Sequence, residues 1–401
     1  MKRYGTFISD ESKVLLQNMR DFVDKEIMPV RVQLDDSREA CEEVIDKLVK
    51  LGIQRYGLSP KYGGVQIGSA VEYCAMCEEL ARGDSGIATE MTCPEWLFGP
   101  AMRARNKAVL EQFMAPFCSD ERHTACFALT EPDGGCNEED TSQHGMTLRT
   151  TARLDGDEWV INGSKRWPGG ASIAEIYGVL CTTDPSLGEE GVAMIYVPDG
   201  VPGLSFGKPE DKMGMRYSDI NADIYFDNVR VPKENRAAGP GEDWQLFCGA
   251  LSWGRLSSSG FSIGNAQAAL ETVIEYTANR FYKGKAVREH TLQAAMIADM
   301  AIGIESARAY YLSVASMFDN RKEFGDPGDT YLMGKATGSK VYACDVTETV
   351  CSKAIELMGA YGYIREFNVE KYLRDSKIIQ LWEGGGQLGR IEAAKSYYPI
   401  D

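Results

Sequence analysis

The sequence has 401 residues, 44% of them hydrophobic and 25% charged, which is the make-up of an ordinary globular chain long enough for two or three packed units. Its formal charge of −16 repels polyanions and sets nucleic-acid binding aside, although a local basic pocket can still hold a phosphorylated small ligand. No apolar run approaches the roughly 20 residues needed to cross a bilayer. The opening MKRYGTFISDESKVLL also lacks the apolar centre of a secretion signal, so the expected location is cytoplasmic.

The first part of the chain reads as helices. In ISDESKVLLQNMRDFVDKEIMP apolar residues recur at helical spacing, with Ser9 or Asp10 placed to cap and Pro29 to stop. REACEEVIDKLVKLG repeats the pattern and ends at Gly52. After a turn at SPKYGG, the stretches SAVEYCAMCEELARGD and NKAVLEQFMAPFC predict two more helices. Near residue 121 the period shifts to that of strands. TACFALTEP and TLRTTARLDGDEWVINGSKRW read as strands, with Asp155-Gly156 as a hairpin signal. EIYGVLCTTD, GVAMIYVPD and ADIYFDNVRVP predict further strands. From about residue 236 long helical stripes return in NAQAALETVIEYTANRFY, LQAAMIADMAIGIESARAYYLSVASMFDN and TYLMGKATGSKVYACDVTETVCSKAIELMG, lengths that suit an up-and-down bundle. The expected organisation is α+β: a helical domain over 1–120, a β domain over 121–235 and a helical bundle over 236–401.

The chemistry on offer is narrow. There are three histidines, and none has neighbours spaced as a triad or a metal site. Nucleophile-elbow, phosphate-loop and dinucleotide-fold motifs are missing. Of eleven cysteines only Cys74 and Cys77 stand close, in a helical run without a second pair, which reads as buried reduced thiols rather than a zinc site. Two glycine-bearing stretches remain. FALTEPDGGCNEED ends a strand in a turn whose amides can bind anionic oxygens or simply form a β-turn. ELMGAYGYIREFNVEKYLRD carries Gly359, either a helix cap or a point of close phosphate approach. A single acid, Glu383, lies between IIQLW and three glycines, where lost solvation raises a carboxyl pKa.

ALTEPDGGCNEED and ELMGAYGYIREFNVEKYLRDSK resemble the two signature regions of the acyl-CoA dehydrogenases. WVINGSKRW, DKMGMRYSDINADIYFDNVRVPKEN, YTANRFYKG and LQAAMIADM resemble further landmarks, in order, over essentially the whole chain. The resemblance implies a helical domain, a β-barrel-like middle domain and a C-terminal four-helix bundle. It also implies FAD, an acyl-CoA substrate, an electron-transfer flavoprotein as electron acceptor, and a homotetramer. The implied reaction removes a proton from the α-carbon and a hydride from the β-carbon, with Glu383 as the base. Some members carry the base just before an arginine on an earlier helix; here Trp253 and Gly254 precede Arg255, so that position holds no acid.

Cofactor residues carry over singly. Phe127, Leu129 and Thr130 are expected at the flavin's pyrimidine edge, Trp167 on the ring with Gly169 beside it, and Arg280 and Thr291 on the pyrophosphate side. Glu356, Gly359 and Ala360 should meet the FAD of a neighbouring subunit, and Gly385 and Gln387 the adenosine. On the substrate side stand Cys136, Arg255 near the CoA portion, Thr92 and Cys93 on the pocket floor, and Trp382 and Gly384 beside the base. The chain departs from the family pattern at Pro168-Gly169, where a threonine hydroxyl usually bonds the flavin, and at Lys283, Glu356 and Gly385. Trp382 argues against a long open tunnel, and Ile87 stands where glutaryl-type members carry arginine. A branched, alicyclic or aryl-bearing acyl group is expected. Glu90 and Glu95, near the pocket wall, are expected to face solvent, with assistance of a second proton transfer by one of them as the alternative. Alternatives of the same fold are an enoyl-CoA reductase, an acyl-CoA oxidase and a non-catalytic flavin-binding subunit.

Overall fold

The computed structural model describes residues 1–400. Helix α1 spans Asp10–Phe22, and Ser9 is the cap: its hydroxyl accepts the Ser12 N–H at 3.1 Å. Helix α2 spans Arg38–Lys50, and the chain leaves it through Gly52 at φ +82°. Helix α3 spans Ala70–Gly83. Asp84 then accepts the Gly86 and Ile87 amides at 3.0 Å and starts α4, Ser85–Ala104. The sequence reading passed over α4 as a helix, because Pro94 and Pro100 lie inside it. Conversely, NKAVLEQFMAPFC forms only one regular helical turn, Lys107–Val109, followed by wider and tighter turns around Pro116.

Seven strands make one curled sheet: β1 Ala125–Ala128, β2 Thr151–Asp155, β3 Glu158–Lys165, β4 Ile176–Thr182, β5 Val192–Pro198, β6 Leu204–Phe206 and β7 Ile224–Pro232. The order is β1-β4-β2-β3-β7-β6, with β5 paired to β4. Asp155 pairs with Glu158, so the hairpin turn is Gly156-Asp157, one residue later than expected, with Gly156 at φ +65°. β6 went unforeseen, since three residues are too few to show an alternation. Trp159, Ile161, Val179, Ile195 and Val229 fill the sheet's inner face. Ile176, Leu180, Met194 and Tyr196 pack instead on Leu97 and Phe98 of α4 and on Phe247 of the next helix. The Tyr196 hydroxyl donates to the Leu97 carbonyl at 2.7 Å, which fixes α4 against the sheet.

The last domain comprises α5 Glu242–Asn279, α6 Thr291–Asp319, α7 Thr330–Met358, α8 Val369–Leu381 and α9 Gly385–Lys395. α5 runs through the middle and buries Ser257, Ser258, Ser259 and Ser262, small enough for α7 to approach closely. Buried ion pairs lock the first domain onto the bundle. Arg308 donates to Glu78 at 2.9 Å, and Lys371 lies 2.9 Å from Asp84. Pairs like these contribute mainly to which surfaces meet, since desolvation offsets much of their attraction. Among the described residues no helix is long and apolar enough to cross a membrane.

Candidate active site

The α8–α9 junction comes to rest where α4, α5 and the end of β1 converge. Three successive residues there, Glu383, Gly384 and Gly385, have positive φ of 55°, 96° and 66°. Two of the three glycines thus have a backbone reason. A side chain on Gly384 would also overlap the Glu139 carboxylate. Glu383 alone bears a side chain in this conformation, which costs free energy and persists only where its surroundings fix it.

Two buried cations do the fixing, and both grip backbone. Arg255 donates from Nε to the Glu383 carbonyl at 3.1 Å, from Nη1 to Thr337 Oγ1 at 3.0 Å and from Nη2 to Glu138 at 2.8 Å. Lys340 donates to the carbonyls of Gln380 and Trp382, the last acceptors of α8. The Glu383 side chain then turns toward α5. Ser258 donates to its carboxylate at 3.0 Å and accepts the Trp382 indole N–H at 3.0 Å. Gly254 faces the other oxygen: a Cβ there would sit 2.7 Å from Glu383 Oε1. The missing acid before Arg255 is therefore a missing side chain, and the space belongs to Glu383.

Burial raises the Glu383 pKa; Lys340, Arg255 and the Ser258 hydrogen bond oppose the shift, and Glu138 reinforces it. Next to it, burial pushes the Glu138 pKa up, but Arg255 together with hydrogen bonds from its own backbone amide, Cys136 and Glu139 lowers it overall. Glu139 is pushed up to about 7 by burial and by Glu138, its nearest cation being Arg255 at 3.8 Å.

Glu383 lines a largely apolar cavity of about 550 Å³, bounded also by Cys93, Trp96, Phe127, Leu129, Thr130, Cys136, Trp167, Gly169, Trp382 and Gly384. Those residues come together as the sequence suggested. Thr92 does not reach the cavity, since its hydroxyl bonds back to the Ala88 carbonyl at 2.9 Å. Arg255 does not reach it either; it is fully buried and committed to the Glu383 segment and Glu138 instead of to a ligand. Glu90 does not face solvent. It is buried and takes a two-pronged pair from Arg38 at 2.6 and 2.9 Å. Glu95 is half-buried and lines a second cavity.

The cavity suits a flat heteroaromatic ring. Trp167, half exposed at φ +55°, offers an indole face beside Thr130 at the end of the strand. Asn221 donates to the Trp167 carbonyl at 2.7 Å, and a Cβ on Gly169 would overlap Asp219. Gly169 thus lets this loop pass close to Asp219. Arg280, Thr291, Glu356, Gly359, Ala360 and Gln387 are exposed outside the cavity, and Gly385 lies at the start of α9. Arg280 stacks over Tyr361 at 5.8 Å, which joins its loop to the turn after Gly359. Sequence reasoning missed Ser258, Lys340 and the Glu138–Glu139 pair. A lone lysine within the apolar stripe of α7 was the available signal for Lys340.

Comparison with known proteins covers nearly the whole chain. Family models described as acyl-CoA dehydrogenase N-terminal, middle and C-terminal domains match residues 9–121, 126–229 and 241–397. The mitochondrial short-chain specific acyl-CoA dehydrogenase of Bos taurus is 31% identical over 395 residues, covering 97% of this chain and 92% of the relative. Subunit CarC of the caffeyl-CoA reductase–Etf complex of Acetobacterium woodii is 32% identical over 388 residues, covering 96% and 97%. The solved structure of butyryl-CoA dehydrogenase from Megasphaera elsdenii superposes with a TM-score of 0.87 at 29% identity, covering 98% of this chain and 99% of that one.

Proposed function

The chain belongs to the acyl-CoA dehydrogenase family, and on that premise we propose that it desaturates an acyl-CoA thioester between its α and β carbons, with Glu383 as the base. The observation that carries this is one carboxylate, fixed through its own backbone, facing an apolar cavity of flavin-and-substrate size. An α-proton beside a thioester is only weakly acidic, so its acceptor must be a desolvated and therefore stronger base. Burial supplies that strength, while Lys340 and Arg255 keep the carboxylate from being neutralised outright. Ser258 and the bare Gly254 face set which way its oxygens point.

Phe127, Leu129, Thr130, Trp167 and Gly169 would hold the flavin ring of FAD. Arg280, Thr291, Gly385 and Gln387 would meet its outer parts, and Glu356, Gly359 and Ala360 that of a neighbouring subunit. A bound FAD would supply the acceptor for the β-hydride. Exposed Phe281, Leu292 and Tyr363 near Arg280 support association into a homotetramer, which the mass in light scattering tests. Electrons would leave to an electron-transfer flavoprotein, and the name of the Acetobacterium woodii relative supports that partner. Trp96 and Trp382 narrow the cavity and favour a compact branched, alicyclic or aryl-bearing acyl group. The same relative's name keeps the reverse direction, enoyl-CoA reduction, as the second reading.

The test is anaerobic addition of an acyl-CoA panel to the yellow holoprotein. Bleaching of the flavin by at least one thioester is expected; bleaching by none, with FAD bound, refutes the proposal. Rapid peroxide formation without the flavoprotein acceptor would indicate an oxidase.

A further inference from the structure

Behind the cavity that holds Glu383 lies a second one of about 290 Å³, and Trp96 and Ala250 line both. Glu95 and Trp253 face this rear space. Among the described residues, Glu95 Oε2, Trp253 Nε1, Trp96 Nε1 and the Tyr73 hydroxyl are buried and complete no well-formed hydrogen bond; Trp253 only leans on Glu95 and Trp96 on Tyr73. These four atoms belong to one cluster, since the Tyr73 and Trp253 rings pack 5.2 Å apart at a tilt of 32° and Trp96 adjoins Glu95 in α4. Leaving even one buried polar group without a good partner is costly, so the three on residues that line this cavity, Glu95, Trp96 and Trp253, mark a place where something else completes the bonding.

We propose that the rear cavity receives the far end of the acyl group and that Glu95, with Trp253, recognises a hydroxyl there. This rests on the dehydrogenase reading above and narrows its substrate class to acyl groups bearing a distal hydroxyl. The chemistry of the wall selects the class. Burial pushes the Glu95 carboxyl up to about 8, opposed by Trp253 and Arg321, so near neutral pH it is uncharged and can both donate and accept. The Trp253 indole adds a donor. A hydroxyl, with one hydrogen and two lone pairs, meets this set in full. The charges at the rim are largely spent on protein: Arg103 pairs with Asp326, and Asp319 accepts the Ala70 amide at 2.6 Å. The exposed Arg321 lies at the rim as well.

The experiment uses the yellow holoenzyme and two matched pairs of thioesters: 3-phenylpropanoyl-CoA with its 4-hydroxyphenyl analogue, and hexanoyl-CoA with 6-hydroxyhexanoyl-CoA. Butyryl-CoA runs in parallel. In at least one pair, the hydroxylated member should have kcat/KM about tenfold or more above its parent. In Glu95→Leu that preference should fall to within about twofold, with the parent's turnover kept. Glu95→Gln, which preserves volume, should retain part of it and serves if the leucine variant fails to fold. Equal values in both pairs, or a preference that survives in Glu95→Leu or Glu95→Gln unchanged, overturns the inference. So does a stronger response to the matching ω-amino or ω-carboxy thioester. Where butyryl-CoA bleaches the flavin and no hydroxyl preference exists, this inference falls and the dehydrogenase reading stands. Where no thioester bleaches it, both fall.

Discussion

Gly254→Ala should separate the fold from the chemistry. The added methyl would stand 2.7 Å from Glu383 Oε1, against the 3.4 Å at which ordinary contact begins. The carboxylate must therefore give by ~0.7 Å, on the scale at which misplacement of a reacting group costs up to about 100-fold in rate. The displaced atom is the free end of a side chain, so the packing penalty is small, and replacing glycine inside α5 recovers roughly 0.5–1 kcal/mol of helix stability. The expected variant binds FAD, melts at or slightly above the parent temperature, and loses between about 10- and 100-fold in kcat, or roughly 1.4–2.7 kcal/mol of activation free energy. Thermal unfolding followed by circular dichroism and anaerobic stopped-flow bleaching at saturating thioester measure the two halves. Full activity in a folded Gly254→Ala would mean that the position of Oε1 does not matter, and the assignment of Glu383 as base would be wrong.

Glu383→Gln should keep the flavin spectrum and lose at least about 100-fold in turnover, the lower end of what a positioned base contributes; near-parent kcat would place the base elsewhere. Arg255→Ala leaves Glu138 buried without its cation and the Glu383 carbonyl without a donor, so denaturant unfolding should show a loss of about 3–5 kcal/mol. Since the Glu383 pKa is raised, the bleaching rate should decline with falling pH above the range in which a free glutamate titrates, and a rate flat across that range argues against it. Glu95, with a folded pKa of about 8, binds its proton more tightly folded than unfolded, where glutamate has its ordinary 4.5. Its contribution is complete below pH 4.5 and is lost as pH rises through 8. Melting temperatures of Glu95→Gln should therefore gain on the parent between pH 5 and pH 8; a constant gap would contradict the assignment.

Much of this was readable from the chain because long apolar stripes and alternating runs declare their own periods. The helix–strand–helix order needs nothing more, and the isolated acid beside glycines was conspicuous. What stayed hidden depends on distance in sequence. Ser258 meets Glu383 across 125 positions, and Lys340 meets Trp382 across 42. Nothing in a serine-rich stretch of α5 says which hydroxyl faces the acid. Arg255 was read toward ligand because a lone arginine near a pocket has two uses, and only its enclosed carbonyl and carboxylate partners decide between them. α4 escaped because proline is normally a stop signal. Its two prolines remove hydrogen bonds from a helix already held by Asp84 at its start and by Tyr196 at its middle.

Because Arg255 and Lys340 hold the Glu383 segment by the carbonyls of Glu383, Trp382 and Gln380, their grip is blind to side-chain identity. Residue 382 can therefore change size without releasing the backbone of Glu383, while the Glu383 carboxylate still feels the change through Ser258, which accepts the Trp382 indole N–H. The position of the Glu383 backbone and the aim of its carboxylate thus become separately adjustable traits, one held by the two cations and the other tuned by the side chain at residue 382.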